Sequence, residues 1–200
     1  MNYDVHYKQD AYYWGKQPSA LAIKILEVHP PVSPMTAIDI ACGEGRNAVF
    51  LARNGYRVAA FDISEEGVRK ARLLAREVGV EIEAFVADLL TYRLDKSYDV
   101  IFSTGSLHYI PPDLRGEIIQ NYKTHTNHNG IHVMSVFVDK PFIPAAPDAE
   151  ATAHLWRSGE LFGHYHDWKI EFCTEDIINC NSSGIPHQHA VNRIIARRTA

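Results

Sequence analysis

Apolar residues in this chain fall in short runs separated by Gly, Pro and charged stretches, and the runs switch between strand and helix periods. Residues 36–40 read as a buried strand in which Asp39 stands between Ile38 and Ile40. A Gly-rich turn follows, and from Asn47 the pattern turns helical through Ala48, Val49, Phe50, Leu51 and Ala52 until Gly55 supplies a stop. A second strand over 56–61 ends at Asp62. Ser64 then caps a helix whose first turn carries Glu65 and Glu66, as the macrodipole prefers. That helix runs to about Val78, and Gly79 closes it. A third strand over 81–87 ends at Asp88, and a fourth covers 98–103. Pro111 and Pro112 start a helix that fades in the Asn127-His128-Asn129-Gly130 turn, and 131–138 is the fifth strand.

Ahead of the first strand, Pro18 opens a helix with Leu21, Ile25 and Val28 at helical spacing, and Pro30, Pro31 and Pro34 end it. Beyond the fifth strand, 141–147 is a loop and 158–165 a short helix. Two strands over 168–175 and 187–197 are joined by a turn containing Asn181-Ser182-Ser183-Gly184. Strand and helix therefore alternate from 36 to 138, which predicts a parallel sheet covered on both faces. The closing hairpin adds an antiparallel strand. The expected fold is α/β, a Rossmann-like, seven-stranded, mostly parallel sheet with an antiparallel C-terminal strand.

A length of 200 residues suits one domain, with 1–30 as an N-terminal arm and helix, 36–138 as a cofactor half and 139–200 as a substrate half. The composition, 46% hydrophobic and 22% charged, is that of a globule with a real core. A net charge of -4 without a basic stripe argues against nucleic acid as a partner. No apolar run reaches membrane-spanning length, and the start, Met1-Asn2-Tyr3-Asp4, has no signal-peptide pattern. Cys42, Cys173 and Cys180 form no Cys-x-x-Cys and fit a reducing cytoplasm. Tyr3, Tyr7, Tyr12, Tyr13 and Trp14 crowd the arm, either covering core or closing over a ligand.

Ligands of open parallel sheets bind outside the carboxyl ends of the strands. Gly43 and Gly45 follow the first strand, in a turn that lets backbone approach a ligand. Asp62 ends the second strand, 17 positions after Gly45, where a carboxylate can accept both ribose hydroxyls. Asp88 ends the third and suits an adenine amino group. Ser103-Thr104-Gly105 follows the fourth. Their order on one sheet edge points to an adenosine cofactor. A nicotinamide dehydrogenase is the rival, because Gly43-Glu44-Gly45-Arg46-Asn47-Ala48 matches a relaxed Gly-x-Gly-x-x-Ala pattern. Against it stand the short chain, Asp39 inside the first strand, and the closing hairpin. A non-catalytic cofactor-binding module is a third reading.

Asp39-Ile40-Ala41-Cys42-Gly43-Glu44-Gly45-Arg46-Asn47, followed by Phe50-Leu51-Ala52 and Gly55-Tyr56-Arg57-Val58, resembles the class I S-adenosyl-L-methionine (SAM)-dependent methyltransferases. It is most similar to the tellurite-resistance (TehB-like) branch, in which a Cys-Gly-x-Gly-Arg-Asn turn is characteristic. Tyr98-Asp99-Val100-Ile101 with Ser103, Ser158-Gly159-Glu160-Leu161 with Tyr165 and Trp168, and Ala196-Arg197-Arg198 extend the likeness. The resemblance implies methyl transfer from SAM to a small acceptor, a tellurite- or selenite-type oxyanion or a thiol, in a cytoplasmic monomer or homodimer. It implies that Ala41, Gly43 and Gly45 pass the methionine part of SAM. Arg46 and Asn47 would reach its carboxylate or shape the substrate side, and Asp62 would hold ribose. Ile63 would pack on adenine, Asp88 with Leu89 beside it would bind the adenine amino group, and the Ser103 backbone would face the amine.

The chain departs from the branch where a His and Arg patch handles the oxyanion. It has Ile178-Asn179 there and offers His187 and His189, which strand alternation puts on one face with Val191 and Arg193. They are the candidate catalytic residues, as an anion site or a base, against the plainer reading of two half-exposed polar side chains. No fixed ligand spacing supports a metal, for which His164, His166 and Cys180 would be the extra ligands. His108 either lines the acceptor pocket or is structural. Cys42 reads as a small packing residue.

Overall fold

The computed structural model describes residues 3–147, 153–181 and 184–199. The chain order is α1 (Asp4–Tyr7), α2 (Ala20–Val28), β1 (Met35–Ile40), α3 (Arg46–Arg53), β2 (Tyr56–Asp62), α4 (Glu65–Glu77) and β3 (Glu83–Val86). It continues through β4 (Tyr98–Ser103), a 3-10 turn at Leu107–Tyr109, α5 (Pro112–Thr124), β5 (Thr126–Val138), α6 (Glu160–Gly163), β6 (Lys169–Cys180) and β7 (His187–Arg197). The seven strands form one sheet in the order β3-β2-β1-β4-β5-β7-β6. The first five run parallel, and β7 is antiparallel to both β5 and β6. The expected architecture is the one observed.

Strand alternation divides the core. Ile38, Ile40, Ala59, Phe61, Ile101 and Met134 face one layer, which Leu107, Ile118, Tyr122 and Trp156 complete. Ala37, Val58, Ala60, Val100, Phe102 and Val133 face the other, against Leu21, Ile25, Ala48 and Leu51. Central strands buried on both faces carry near-continuous apolar runs, which is why β1, β2 and β4 were plain in the sequence.

Several boundaries differ from the sequence reading, among them the short helix expected over 158–165, which covers only Glu160–Gly163. The first long helix starts at Ala20 rather than Pro18, because the Ser19 side chain accepts the Ala22 amide and makes Ser19 the cap. The third strand is shorter than 81–87. β6 continues to Cys180, because the hairpin pairing with β7 persists to Cys180↔His187. The Asn127–Gly130 stretch is not a helix tail but an irregularity inside β5: Tyr98 pairs with Thr126 and Val100 already with Ile131. Asn129 takes φ +63° there, and Gly130 has the Asn127 and Asp99 carbonyls where a Cβ would stand. Ser182 and Ser183 of the expected hairpin turn lie outside the described residues.

Candidate functional site

β1 ends at Ile40, and the next five residues turn the chain into α3. Ala41, Gly43 and Gly45 all take positive φ, at +55°, +55° and +83°. Gly45 is required for a second reason: a Cβ there would lie 2.5 Å from the Ala71 Cβ on α4. The turn is thus wedged under α4. Its backbone is tied to β2, because the Gly43 amide donates to Asp62 Oδ2 at 2.7 Å. The Ser64 amide donates to Asp62 Oδ1 at 2.9 Å. Burial raises the Asp62 carboxyl above its ordinary value, and the two amides oppose the rise. Each carboxylate oxygen has a further lone pair for a ligand hydroxyl.

Asp39 lies under the same turn; in the sequence it counts against a dehydrogenase and opens the methyltransferase-like motif, with no role of its own. It is fully buried, its Oδ2 lacks a hydrogen-bond partner among the described residues, and desolvation lifts its pKa to about 8. The Ala48 amide and the Arg46 charge counter that rise, and the nearby Asp62 adds to it. Its signal in the sequence was an acid inside an otherwise apolar strand. A buried orphan acceptor at the head of a glycine turn is chemistry suited to a cationic ligand group.

The remaining expected cofactor residues divide into open and occupied. Ile63 is 58% exposed beside Asp62, which leaves an apolar face available for a planar ring. The Asp88 carboxylate accepts the Leu90 amide at 2.8 Å and shapes the turn after β3, with Leu89 buried beneath it. Ser103 is buried, donates to the Ile40 carbonyl at 3.2 Å and pairs with Ser106 at 2.7 Å, so its side chain holds the ends of β4 and β1 together. Arg46 donates to the Trp14 carbonyl at 2.8 Å, and Asn47 accepts the Ser19 amide at 2.8 Å. Both side chains fasten neighbouring segments to the turn. Cys42 is a buried packing residue, its thiol pushed up by burial.

The N-terminal arm packs over this edge and buries part of its aromatic cluster against the glycine turn. α1 packs on α4, and Tyr7 is buried with its hydroxyl 2.8 Å from where a Gly43 Cβ would stand. Tyr7 accepts the Trp14 indole N–H at 3.2 Å, and Tyr3 stacks on Tyr7 with ring centres 5.6 Å apart. Asp4 accepts the Ser64 hydroxyl. A buried ion pair fastens the whole: Lys70 Nζ lies 2.5 Å from Glu44 Oε1, with the two side chains 3% and 2% exposed. The same ammonium donates to the Gln9 and Ala11 carbonyls. Sequence reasoning missed Lys70, since a lysine in an amphipathic helix reads as solvent-facing.

On the other side of the sheet edge, His108 is buried in the 3-10 turn after β4, and desolvation lowers its pKa to about 3. It is neutral at ordinary pH. Its ring stacks on Phe137 (4.5 Å), and Phe137 stacks on His189 (4.3 Å, 4°). His187 and His189 share a face as expected, with their Nε2 atoms 2.9 Å apart. Because β7 is antiparallel to β5, this start of β7 lies at the carboxyl end of β5 beside Val138. His164 and His166 do not join them. His164 sits edge-on to Trp156, and His166 lies against the Gly163 carbonyl. Arg115, also unremarked in the sequence, is buried over Trp156 and bonds Glu160 and the His154 carbonyl, which fixes the segment flanking this side.

Known proteins resemble this arrangement. The family model described as Tellurite resistance protein TehB matches residues 5–193. A probable S-adenosyl-L-methionine-dependent methyltransferase TehB from Haemophilus influenzae is 25% identical over 160 residues, covering 79% of this chain and 55% of that protein. A ubiquinone biosynthesis O-methyltransferase of Rickettsia canadensis is 28% identical over 112 residues, covering 56% of this chain and 47% of its own length. The chain spans about half the length of these curated relatives. The crystal structure of TehB from Haemophilus influenzae superposes with a TM-score of 0.78 at 21% identity, over 98% of this chain and 65% of that one. Magnesium protoporphyrin IX methyltransferase from Synechocystis with bound SAH superposes at 0.67 and 18% identity, over 89% and 80% of the two chains.

Proposed function

The chain belongs to the Tellurite resistance protein TehB family, and from that premise we propose that it is a SAM-dependent methyltransferase acting on a small acceptor. The observation that carries the reading is the turn after β1, with three positive-φ residues bonded through Gly43 to the Asp62 carboxylate. Relatives named as S-adenosyl-L-methionine-dependent and ubiquinone-biosynthesis methyltransferases support the same chemistry. On this reading residues 1–200 are one methyltransferase domain, with the cofactor on 36–138 and the acceptor toward 139–200.

Ala41, Gly43 and Gly45 offer backbone to the methionine part, and Asp39 offers a buried acid beneath it. Asp62 accepts the ribose hydroxyls, Ile63 covers one face of adenine, and Asp88 with Leu89 bounds its edge. The Ser103 backbone faces the amine. Arg46 and Asn47 act by holding the arm and α2 against the turn. When bound, SAM supplies a methyl group already activated by its sulfonium charge. The protein's work is then to align an acceptor lone pair with the S–CH₃ bond and exclude water, and alignment of this kind supplies on the order of 7–11 kcal/mol. The aromatic arm serves the exclusion of water.

The acceptor end belongs to His108, His187 and His189, with the latter two as the candidate catalytic groups. A soft anion or a thiol, in the manner of a tellurite- or selenite-type oxyanion, is the acceptor class the family points to. Among the described residues no helix is long and apolar enough to cross a membrane. The test is a methyl-transfer screen with labelled SAM over tellurite, selenite, small thiols and phenols. Turnover of at least one acceptor supports the reading. Tight SAM binding with no transfer to any of them would favour a SAM-binding module instead.

A further inference from the structure

We propose that the turn end of the β6–β7 hairpin is a binding site for a borderline-soft divalent cation of the zinc type, held by Cys180, His187 and His189. The ligand atoms of these three residues lie within 4.8 Å of one another, and all three side chains are half-buried. The strand geometry makes the grouping. His187 and His189 are two apart on β7 and so face one side, and Cys180 stands directly across from His187 in the antiparallel register.

The chemistry is that of a metal site. One thiol and two imidazoles are a donor set for zinc, with metal–nitrogen distances of about 2.0–2.1 Å and metal–sulfur of about 2.3 Å. Tetrahedral ligation at those lengths needs the two nitrogens about 3.3 Å apart. The observed Nε2–Nε2 separation of 2.9 Å needs only a small opening. His187 Nδ1 lies 2.7 Å from the Ile185 carbonyl, so it carries the proton and leaves Nε2 with its lone pair. That is the outer hydrogen bond a metal-bound imidazole uses to fix its tautomer. His189 is braced from below by the Phe137 ring.

Binding would proceed with a stated proton balance. The thiol proton of Cys180 leaves to solvent as the thiolate–metal bond forms. His189, whose Nε2–H donates to His187 in the metal-free pair, moves that proton to Nδ1 and presents Nε2. The three protein donors leave a fourth position open to solvent. A cation there would give the histidine pair a fixed positive charge to anchor an anionic or thiolate acceptor one ring stack from His108. The site itself does not depend on methyl transfer, and its test is independent of activity.

The test uses the untagged full chain, reduced and freed of metal, titrated with zinc by calorimetry and with cobalt by absorbance. The expected results are one zinc per chain and a near-ultraviolet thiolate-to-cobalt charge-transfer band. Cys180→Ser abolishes the band and weakens zinc binding at least about tenfold, as does His189→Asn for the affinity. Cys173→Ser keeps the band. Thermal melts check that each variant is folded, and the pair of variants guards against one failing to fold. Absence of stoichiometric zinc binding, or a band that survives Cys180→Ser or is lost with Cys173→Ser, overturns the proposal and leaves the methyltransferase reading untouched.

Discussion

Asp62 accepts the Gly43 amide at 2.7 Å, so the last residue of β2 holds the shape of the turn that follows β1. One carboxylate therefore serves two ends. Half of its hydrogen-bonding capacity organises the protein, through Gly43 and Ser64, and the other half is available to a ligand. Variants of the surrounding residues separate the structural contribution from the binding one.

The Glu44–Lys70 pair fastens the arm from within. Removing one partner of a buried pair strands the other and typically costs about 3–5 kcal/mol. Lys70→Met also strips the Gln9 and Ala11 carbonyls of their donor. Its expected melting temperature is roughly 10 °C below that of the parent, at about 2–4 °C per kcal/mol for a chain of this size. A shift under about 2 °C in scanning calorimetry would mean that the arm is not held through this pair.

Gly45 and Gly105 both take positive φ, yet they predict different losses. A methyl at 45 meets Ala71 at 2.5 Å, whereas one at 105 meets nothing within 4 Å. Gly105→Ala bears only the left-handed strain, about 1–2 kcal/mol. Gly45→Ala adds a clash with α4 and is expected to lose at least about 2 kcal/mol more. Urea unfolding of the two variants reads the difference directly, and equal losses would deny the close packing.

Asp39 gives the stability a pH dependence of definite sign. Its folded pKa, about 8, lies above its unfolded value near 4. Between those values the folded state binds the extra proton, so the Asp39 contribution is fully present below about pH 4 and is lost as pH rises through 8. Asp39→Asn, which stays neutral, removes that slope. The stability of the variant relative to the parent should therefore rise from pH 5 to pH 8 in denaturant titrations. A relative stability that stays flat or falls over this range would place the Asp39 pKa near its ordinary value.

The histidine pair is separable from the cofactor end, because β7 lies across β4 and β5 from the glycine turn. His187→Ala with His189→Ala is expected to lower turnover at least about tenfold while SAM affinity is unchanged. Unchanged turnover would make the pair structural. A matching loss of SAM affinity would mean that the two ends are not independent.

Much of this was legible in the sequence for identifiable reasons. β1, β2 and β4 are short apolar runs bounded by Gly, Pro or Asp, and Ser64 with two following glutamates marks a helix start in one dimension. The bulge at 127–130 was not legible, because Asn-His-Asn-Gly carries the same turn chemistry whether it ends a helix or interrupts a strand. Nor was the length of β6, an edge strand whose exposed residues blur the alternation. At the site, Gly43, Gly45 and Asp62 announced themselves by type and spacing. Lys70 and Arg115 did not, since their burial depends on segments distant in sequence that fold over them. Cys180 and His187 are brought together by strand register, which residue spacing alone does not determine.

The central claim is that the turn from Ala41 to Gly45, with Asp62, is a SAM site, and calorimetric titration of SAM into the parent and Asp62→Ala tests it most directly. Asp62→Asn serves as the control for turn geometry, because its side-chain carbonyl can still accept one of the two amides. The account predicts one SAM bound per chain and at least a tenfold loss of affinity in Asp62→Ala, about 1.4 kcal/mol. No binding to the parent, or an affinity unchanged by Asp62→Ala, would contradict it.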